Sequence, residues 1–455
     1  MSQGPAYLEE SRQRFLSEFL ELLRIESVST DPARRQDVQT AAQWTAQRLR
    51  RAGIEHVEVF ETAGHPVVCG DWLHAPGKPT VLFYGHFDVQ PPDPVSLWTT
   101  PPFAPEVRDG RVYARGASDM KGNLLLGIWA CEAHLQDGGE LPLNVKFLLE
   151  GEEEIGSPSL PAFIATHREL LKTDTVVSLD AGQAGDDQPA LFVALRGLCG
   201  VQIDVRSALA DAHSGLMGGL LPNAAHALVR ILDSMRGPAG EILVEGFYDN
   251  VRPLTAQQRA EMAAIPDDAE AIRLAMGAKA LVGERDYTPR ERNWARPTLD
   301  VNGLWSGFQE DGIKTVIPSE AHAKITCRLV PDQDPERVRE LLAEHVCRHA
   351  PPEVDVVVRP LPGQAKPYLL PQDHLGGAAA ERVLRRIYGR SPLHLRMGAS
   401  VPAVAVLREE LGAYTVSFGF SQFDERMHAP DEFYRLRSLG VGARAVYELI
   451  AEMAR

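Results

Sequence analysis

The segment Leu143–Gly156, LNVKFLLEGEEEIG, is an apolar run of β type that ends abruptly in four carboxylates, Glu150, Glu152, Glu153 and Glu154. Adjacent glutamates at the mouth of a strand repel one another, so they either lie in water or share a positive partner. A bound divalent cation is the sharper explanation, with one glutamate coordinating it while its neighbour handles a proton.

The same pattern recurs along the chain. Pro79–Tyr84 is a continuous apolar run suited to a buried parallel strand, and it delivers Gly85-His86-Phe87-Asp88. Strand Thr175–Leu179 ends in Asp180. Three parallel strands therefore place a ligand-type residue just past their carboxyl ends: His86, Glu153 or Glu154, and Asp180. In open α/β sheets that edge is where sites are built. Asp119 joins from the loop Arg115–Gly122, which opens a helix through Leu124–Leu135, and His428 lies in a loop past strand Tyr414–Phe418. A random scatter of acids would not favour strand ends in this way.

At 455 residues the length alone suggests about three cores, but the patterning groups the chain into two domains. Beyond Arg196-Gly197 the elements read β-α-β-β-α-β, the split arrangement of ferredoxin-like domains, interrupted by a polar excursion over about 237–296. The expected organisation is a first catalytic part over 1–197, an inserted domain over 198–365 and a second catalytic part over 366–455. The fold class is α/β with an inserted α+β domain. A net charge of −15 argues against nucleic acid or an anionic membrane surface as partner. The polar N-terminus lacks the order of a signal peptide, and no apolar run approaches the ~18 residues of a membrane span. The five cysteines are scattered, which points to reduced thiols in a cytoplasmic protein with no cysteine metal site.

Two imidazoles and three carboxylates, with a fourth carboxylate left uncoordinated, suit a pair of borderline metal ions. Nitrogen and oxygen donors without thiolate favour Zn²⁺, with Mn²⁺ or Co²⁺ as alternatives. Asp88, two residues beyond His86, is placed to orient that imidazole by accepting its other N–H.

Gly85-His86-Phe87-Asp88-Val89-Gln90-Pro91, Asp119-Met120-Lys121-Gly122 and Glu150-Gly151-Glu152-Glu153-Glu154-Ile155-Gly156-Ser157 resemble, in order and spacing, the motifs of the co-catalytic zinc metallopeptidases. That family includes carnosinase-type dipeptidases, succinyl-diaminopimelate desuccinylase, acetylornithine deacetylase, aminoacylases and glutamate carboxypeptidase. The resemblance extends over essentially the whole chain, and the dipeptidase branch is the nearest. It implies that Asp119 bridges two ions, with a cis peptide bond after it. His86 and Asp180 would hold one ion, Glu154 and His428 the other, and Glu153 would act as general base. It further implies that His213 stabilises the oxyanion, reaching across from the partner subunit of a homodimer built through the inserted domain. Arg328 would hold the substrate's free carboxylate, with Thr315, Gly398 and Ser400 lining the same pocket. Met120 departs from the family pattern, where an acid is common. The implied activity is hydrolysis of a dipeptide or similar small amide. Deacylation of an N-acyl amino acid or N-succinyl diamine is the alternative, and a non-catalytic metal-binding protein on the same fold the more distant one.

Overall fold

The computed structural model describes residues 4–265 and 269–455. The first three residues of the polar N-terminal stretch, and residues 266–268 of the excursion, lie outside the described residues. The chain divides into two units. One comprises Met1–Val193, Leu370–Leu395 and Ala403–Arg455; the other comprises Ala194–Leu369 and Arg396–Pro402, so the segment with Gly398 and Ser400 groups with the second.

The first unit holds a six-stranded sheet in the order Glu55–Phe60, Val67–Trp72, Asn144–Glu150, Thr80–His86, Thr175–Ser178, Tyr414–Ser417. The His86 strand lies between two parallel neighbours, with His86 opposite Glu150 and Tyr84 opposite Ser178. Their carboxyl ends therefore open on one edge. These strands are buried along most of their length, as their unbroken apolar runs require. Val67–Trp72 escapes sequence reading because Gly70 and Asp71 interrupt its pattern, yet every residue of it is buried. Helix Gly122–Gly138 is apolar nearly all round and correspondingly enclosed, with Leu124 to Ala130 all buried. The closing helix Leu436–Met453 packs against it. The N-terminal apolar periodicity is divided between two helices, Gly4–Glu10 and Arg12–Leu23.

The second unit is built on an antiparallel sheet in the order Thr298–Ser306, Glu320–Leu329, Gly197–Arg206, Asp355–Pro360. Helices Ala224–Asp233 and Pro335–His349 complete the β-α-β-β-α-β order. Val201, Ile203, Leu228, Ile231, Ile325, Leu342 and Val346 form its core. Asn223 and Asp334 start the two helices by accepting backbone N–H groups. The polar excursion is not irregular throughout: it contains helices Ala256–Ala264, Ala269–Ala275 and Pro289–Ala295. The first and third begin with capping boxes, Thr255 with Gln258 and Thr288 with Glu291, a signal that its charge content masks. Among the described residues no helix is long and apolar enough to cross a membrane. Four of the five free cysteines are buried and Cys347 is exposed.

One buried polar network ties four helices of the first unit together. Arg48, from helix Arg35–Arg51, is 1% exposed; its Nε donates to Glu18 at 2.7 Å and its guanidinium also pairs with Glu132. Trp129 Nε1 donates to Glu18 at 2.8 Å, and Tyr7 Oη donates to Glu132 at 2.6 Å. Removing the central cation leaves both largely buried carboxylates with only the exposed Arg14 as a cationic partner. Arg48→Met is expected to destabilise this unit by about 3–5 kcal/mol, read as a lowered urea midpoint, whereas Arg12→Met on the exposed Glu9 pair should change it by less than about 1 kcal/mol.

Candidate metal centre

Two sets of donors converge within the first unit. His86, Asp119 and Asp180 form one, and Asp119, Glu154 and His428 the other; within each set the ligating atoms lie within 4.8 Å of one another. Asp119 is common to both. Its Oδ1 stands 3.2 Å from His86 Nε2, and its Oδ2 is 2.9 Å from His428 Nε2. Glu154 Oε2 is 3.3 Å from the same His428 nitrogen, while Asp180 Oδ2 is 3.9 Å from His86 Nε2. His86 Nε2 is buried without a hydrogen-bond partner, although carboxylates face it. A buried nitrogen aimed into a ring of carboxylates, with two imidazoles and no thiolate, fits divalent cations of the borderline class.

The Asp119 loop is held from behind by Glu432, which is fully buried. Glu432 accepts the backbone N–H groups of Gly116, Ser118 and Asp119 at 3.0, 2.9 and 3.1 Å, and Arg115 Nη1 donates to it at 2.5 Å. The bond Asp119–Met120 is cis, as the family resemblance implies. Met120 fills the space beneath His86, whose backbone N–H points at its Sδ at 3.2 Å. Lys121 is buried too, donating to the carbonyls of Leu22 and Ile25 at 3.1 and 2.8 Å. Burial pulls its ammonium down to about 7.

The four glutamates after the strand divide into different tasks that spacing alone does not distinguish. Glu150 accepts from Tyr84 Oη at 2.6 Å and Ser157 Oγ at 2.9 Å, and burial pushes its carboxyl up to about 7. Glu152 accepts the backbone N–H groups of His65 and Ser159, fixing two loops. Glu154 turns toward His428 and accepts from Gln90 Nε2 at 2.8 Å. Glu153 belongs to neither donor set and lies 4.0 Å from His86 Nε2. Asp88 serves both sides: its carboxylate is 3.3 Å from His86 Nδ1, and it accepts the backbone N–H groups of Glu153 and Glu154 at 3.3 and 3.1 Å. Glu432 and Gln90 were unassigned by sequence reasoning, though Gln90 lies inside the motif of His86 and Glu432 four residues beyond His428.

Crowding of charge governs the protonation of this centre. Burial, then Asp180, Glu154 and Asp119, raises Glu153 well above the ordinary carboxylate range. Burial and Asp119 push Asp180 up to about 7. Burial opposes ionisation of Asp119, but hydrogen bonds from His428 and His86 outweigh it and hold the carboxyl low. His428, bonded to Asp119 and Glu154, is raised to about 10.

The remaining predicted residues lie in the second unit. His213 pairs with Val316 across a short two-stranded ladder, and its Nδ1 accepts the Gly215 N–H at 3.0 Å. Thr315 joins the same neighbourhood, its carbonyl accepting from Ser214 N at 3.0 Å. Arg328 Nη1 donates to Ser400 Oγ at 2.9 Å. The Gly398 carbonyl accepts from Arg196 Nε at 2.7 Å, and a Cβ at Gly398 would stand 2.6 Å from Asn293 Oδ1. Arg196 was not singled out by sequence reasoning.

The sequence profile of Peptidase family M20/M25/M40 matches residues 82–452. The chain is 30% identical to the Cys-Gly metallodipeptidase dug1 of Schizosaccharomyces pombe, over 98% of this chain and 97% of the relative. It is 29% identical to the Beta-Ala-His dipeptidase of Homo sapiens, over 99% and 92% of the respective chains. The crystal structure of the M20 family metallo-carboxypeptidase Sso-CP2 from Sulfolobus solfataricus superimposes with a TM-score of 0.81 at 30% identity, covering 97% of this chain and 99% of that one.

Protons and cations compete for these donors. With Asp180 at about 7 and His428 at about 10, both carry a proton at pH 6, and both must release it to coordinate. Affinity for Zn²⁺ is therefore expected to rise from pH 6 to pH 8, with net proton release. Calorimetry in buffers of different ionisation enthalpy checks this; equal affinity at both pH values would contradict it.

Proposed function

The chain belongs to Peptidase family M20/M25/M40, and on that premise we propose that it hydrolyses the peptide bond of dipeptides bearing a free carboxylate. The observation that carries the reading is the sharing of Asp119 between two donor sets, with the raised carboxyl of Glu153 standing beside them and in neither. In this reading His86, Asp119 and Asp180 hold one cation, and Asp119, Glu154 and His428 hold a second. When bound, such a pair, Zn²⁺ or else Mn²⁺ or Co²⁺, supplies a polarised carbonyl and a water of lowered pKa.

Glu153 accepts the proton of the attacking water and returns it to the leaving amine, a role that a carboxyl outside both donor sets suits. Asp88 keeps the His86 ring and the Glu153–Glu154 backbone in fixed relation. His213 donates to the developing oxyanion. Because its Nδ1 accepts the Gly215 N–H, the neutral ring carries its proton on Nε2, the end free to donate. Arg328, already aligned by Ser400, takes the substrate carboxylate bidentately, with Thr315 and Gly398 shaping the pocket. We assign His213 to the partner's active site in a homodimer. Leu209, Leu216 and Leu220, exposed around it, support a second copy docking there. Four buried free cysteines support a reducing, cytoplasmic setting. Deacylation is not favoured, since the Schizosaccharomyces pombe and human relatives named above are dipeptidases, and the complete donor set with Glu153 argues against a non-catalytic binder.

A panel of dipeptides against N-acetyl and N-succinyl amino acids tests the reading: dipeptides should turn over faster, and the reverse order would replace dipeptidase by deacylase. Glu153→Gln should lower kcat by about 10²–10⁴ with metal content near wild type by elemental analysis. His213→Ala should cost about 10²–10³ in kcat. Mixing the two inactive variants should restore about a quarter of wild-type activity if each histidine serves the other subunit's site; no recovery would place it in its own.

A further inference from the structure

We propose that the second unit carries an anion pocket continuous with Arg328 that selects dipeptides whose C-terminal residue is itself acidic. The proposal rests on the dipeptidase reading and on the carboxylate-holding role of Arg328 within it. Arg196, Arg236, Arg292 and Arg328 line one cleft of about 450 Å³, a size within the range of roughly 300–1,000 Å³ usual for small-molecule sites.

Each of these four guanidiniums spends a nitrogen on a neutral oxygen. Arg196 Nε donates to the Gly398 carbonyl, Arg236 Nη1 to the Leu299 carbonyl at 3.0 Å, Arg292 Nε to the Glu284 carbonyl at 2.8 Å, and Arg328 Nη1 to Ser400 Oγ. Among the described residues none of the four forms an ion pair within 4.0 Å. Two acids line the cleft, Glu284 and Asp300. Glu284 is already engaged, accepting from Arg296 Nε at 2.7 Å and Tyr248 Oη at 2.8 Å. Exposed Asp300 alone remains to offset four cations.

Arg196 is buried at 7% exposure, whereas Arg236 is exposed, so the cleft runs from a solvated mouth to a dry end. At the dry end burial, then the neighbouring Arg328, pulls the Arg196 guanidinium down to about 10. Like charges held together out of water call for an anion between them. The α-carboxylate of an ordinary dipeptide brings one negative charge, which Arg328 takes. Arg196, Arg236 and Arg292 are then left with Asp300 alone against them, and a side-chain carboxylate on the same residue supplies the second charge with the geometry a guanidinium prefers.

The test compares Ala-Glu with Ala-Gln, which differ only in that charge, on the full-length metal-loaded protein. Ala-Glu should have the higher kcat/KM by about tenfold or more, mostly through KM. R236Q and R292Q should each shrink the ratio, as should raising the ionic strength. Equal turnover of the two dipeptides, or a preference for Ala-Gln, would overturn the pocket while leaving the dipeptidase reading intact. If neither dipeptide is cleaved, the dipeptidase reading fails and calorimetry with free L-glutamate against L-glutamine decides the pocket. Glutamate binding weakened in R236Q supports it, and no discrimination between the two amino acids overturns it.

Discussion

Everything in the first unit answers one constraint: carboxylates that repel one another must be kept within a few ångströms at the edge of a parallel sheet. Burial first, and repulsion from the neighbouring carboxylates after it, raises the carboxyls of Glu153 and Asp180. The repulsion is withstood because the backbone carrying Asp119, Glu153 and Glu154 is pinned by other buried acids. Glu432 gathers three N–H groups of the Asp119 loop, and Asp88 gathers those of Glu153 and Glu154. The acids that hold the loops are thus distinct from the acids that face inward. A rigid scaffold of this kind keeps donors in place before a cation arrives, which limits the ordering that binding must impose.

The second unit presents the opposite electrostatics on an antiparallel sheet. Its strand Glu320–Leu329 carries Arg328 directly opposite Leu198 and Thr298 on either side, so the guanidinium emerges from the centre of the sheet rather than from a loop. The segment with Gly398 and Ser400, remote in sequence, meets it there. Gly398 has no room for a side chain because Asn293 and Arg196 crowd it. A stiff carrier with a short, closely packed turn beside it is a suitable base for discriminating among small carboxylates, since geometry held by packing loses less entropy when a ligand binds.

Much of this was legible in one dimension. Unbroken apolar runs announced the parallel strands because both their faces are covered, and the residues at their ends followed without further information. Amphipathic spacing in Ala224–Asp233 and Pro335–His349 likewise disclosed the second fold. The misses have equally physical causes. Val67–Trp72 is a buried strand whose glycine and aspartate mimic a turn, and the excursion hides capped helices under a polar composition.

What the chain determined by itself was the list of chemical groups, the order of its elements and the edge of the sheet at which His86, Glu153, Glu154 and Asp180 emerge. These depend on local periodicity, which neighbouring residues encode. The tertiary structure brought Asp119 into both donor sets, as the motif resemblance implies, and it alone decided that Glu150 and Glu152 are structural and that Arg196 and Arg328 share a cleft. Such relations join residues tens to hundreds of positions apart. Proximity of that kind comes from packing whole elements together, and no local pattern records it.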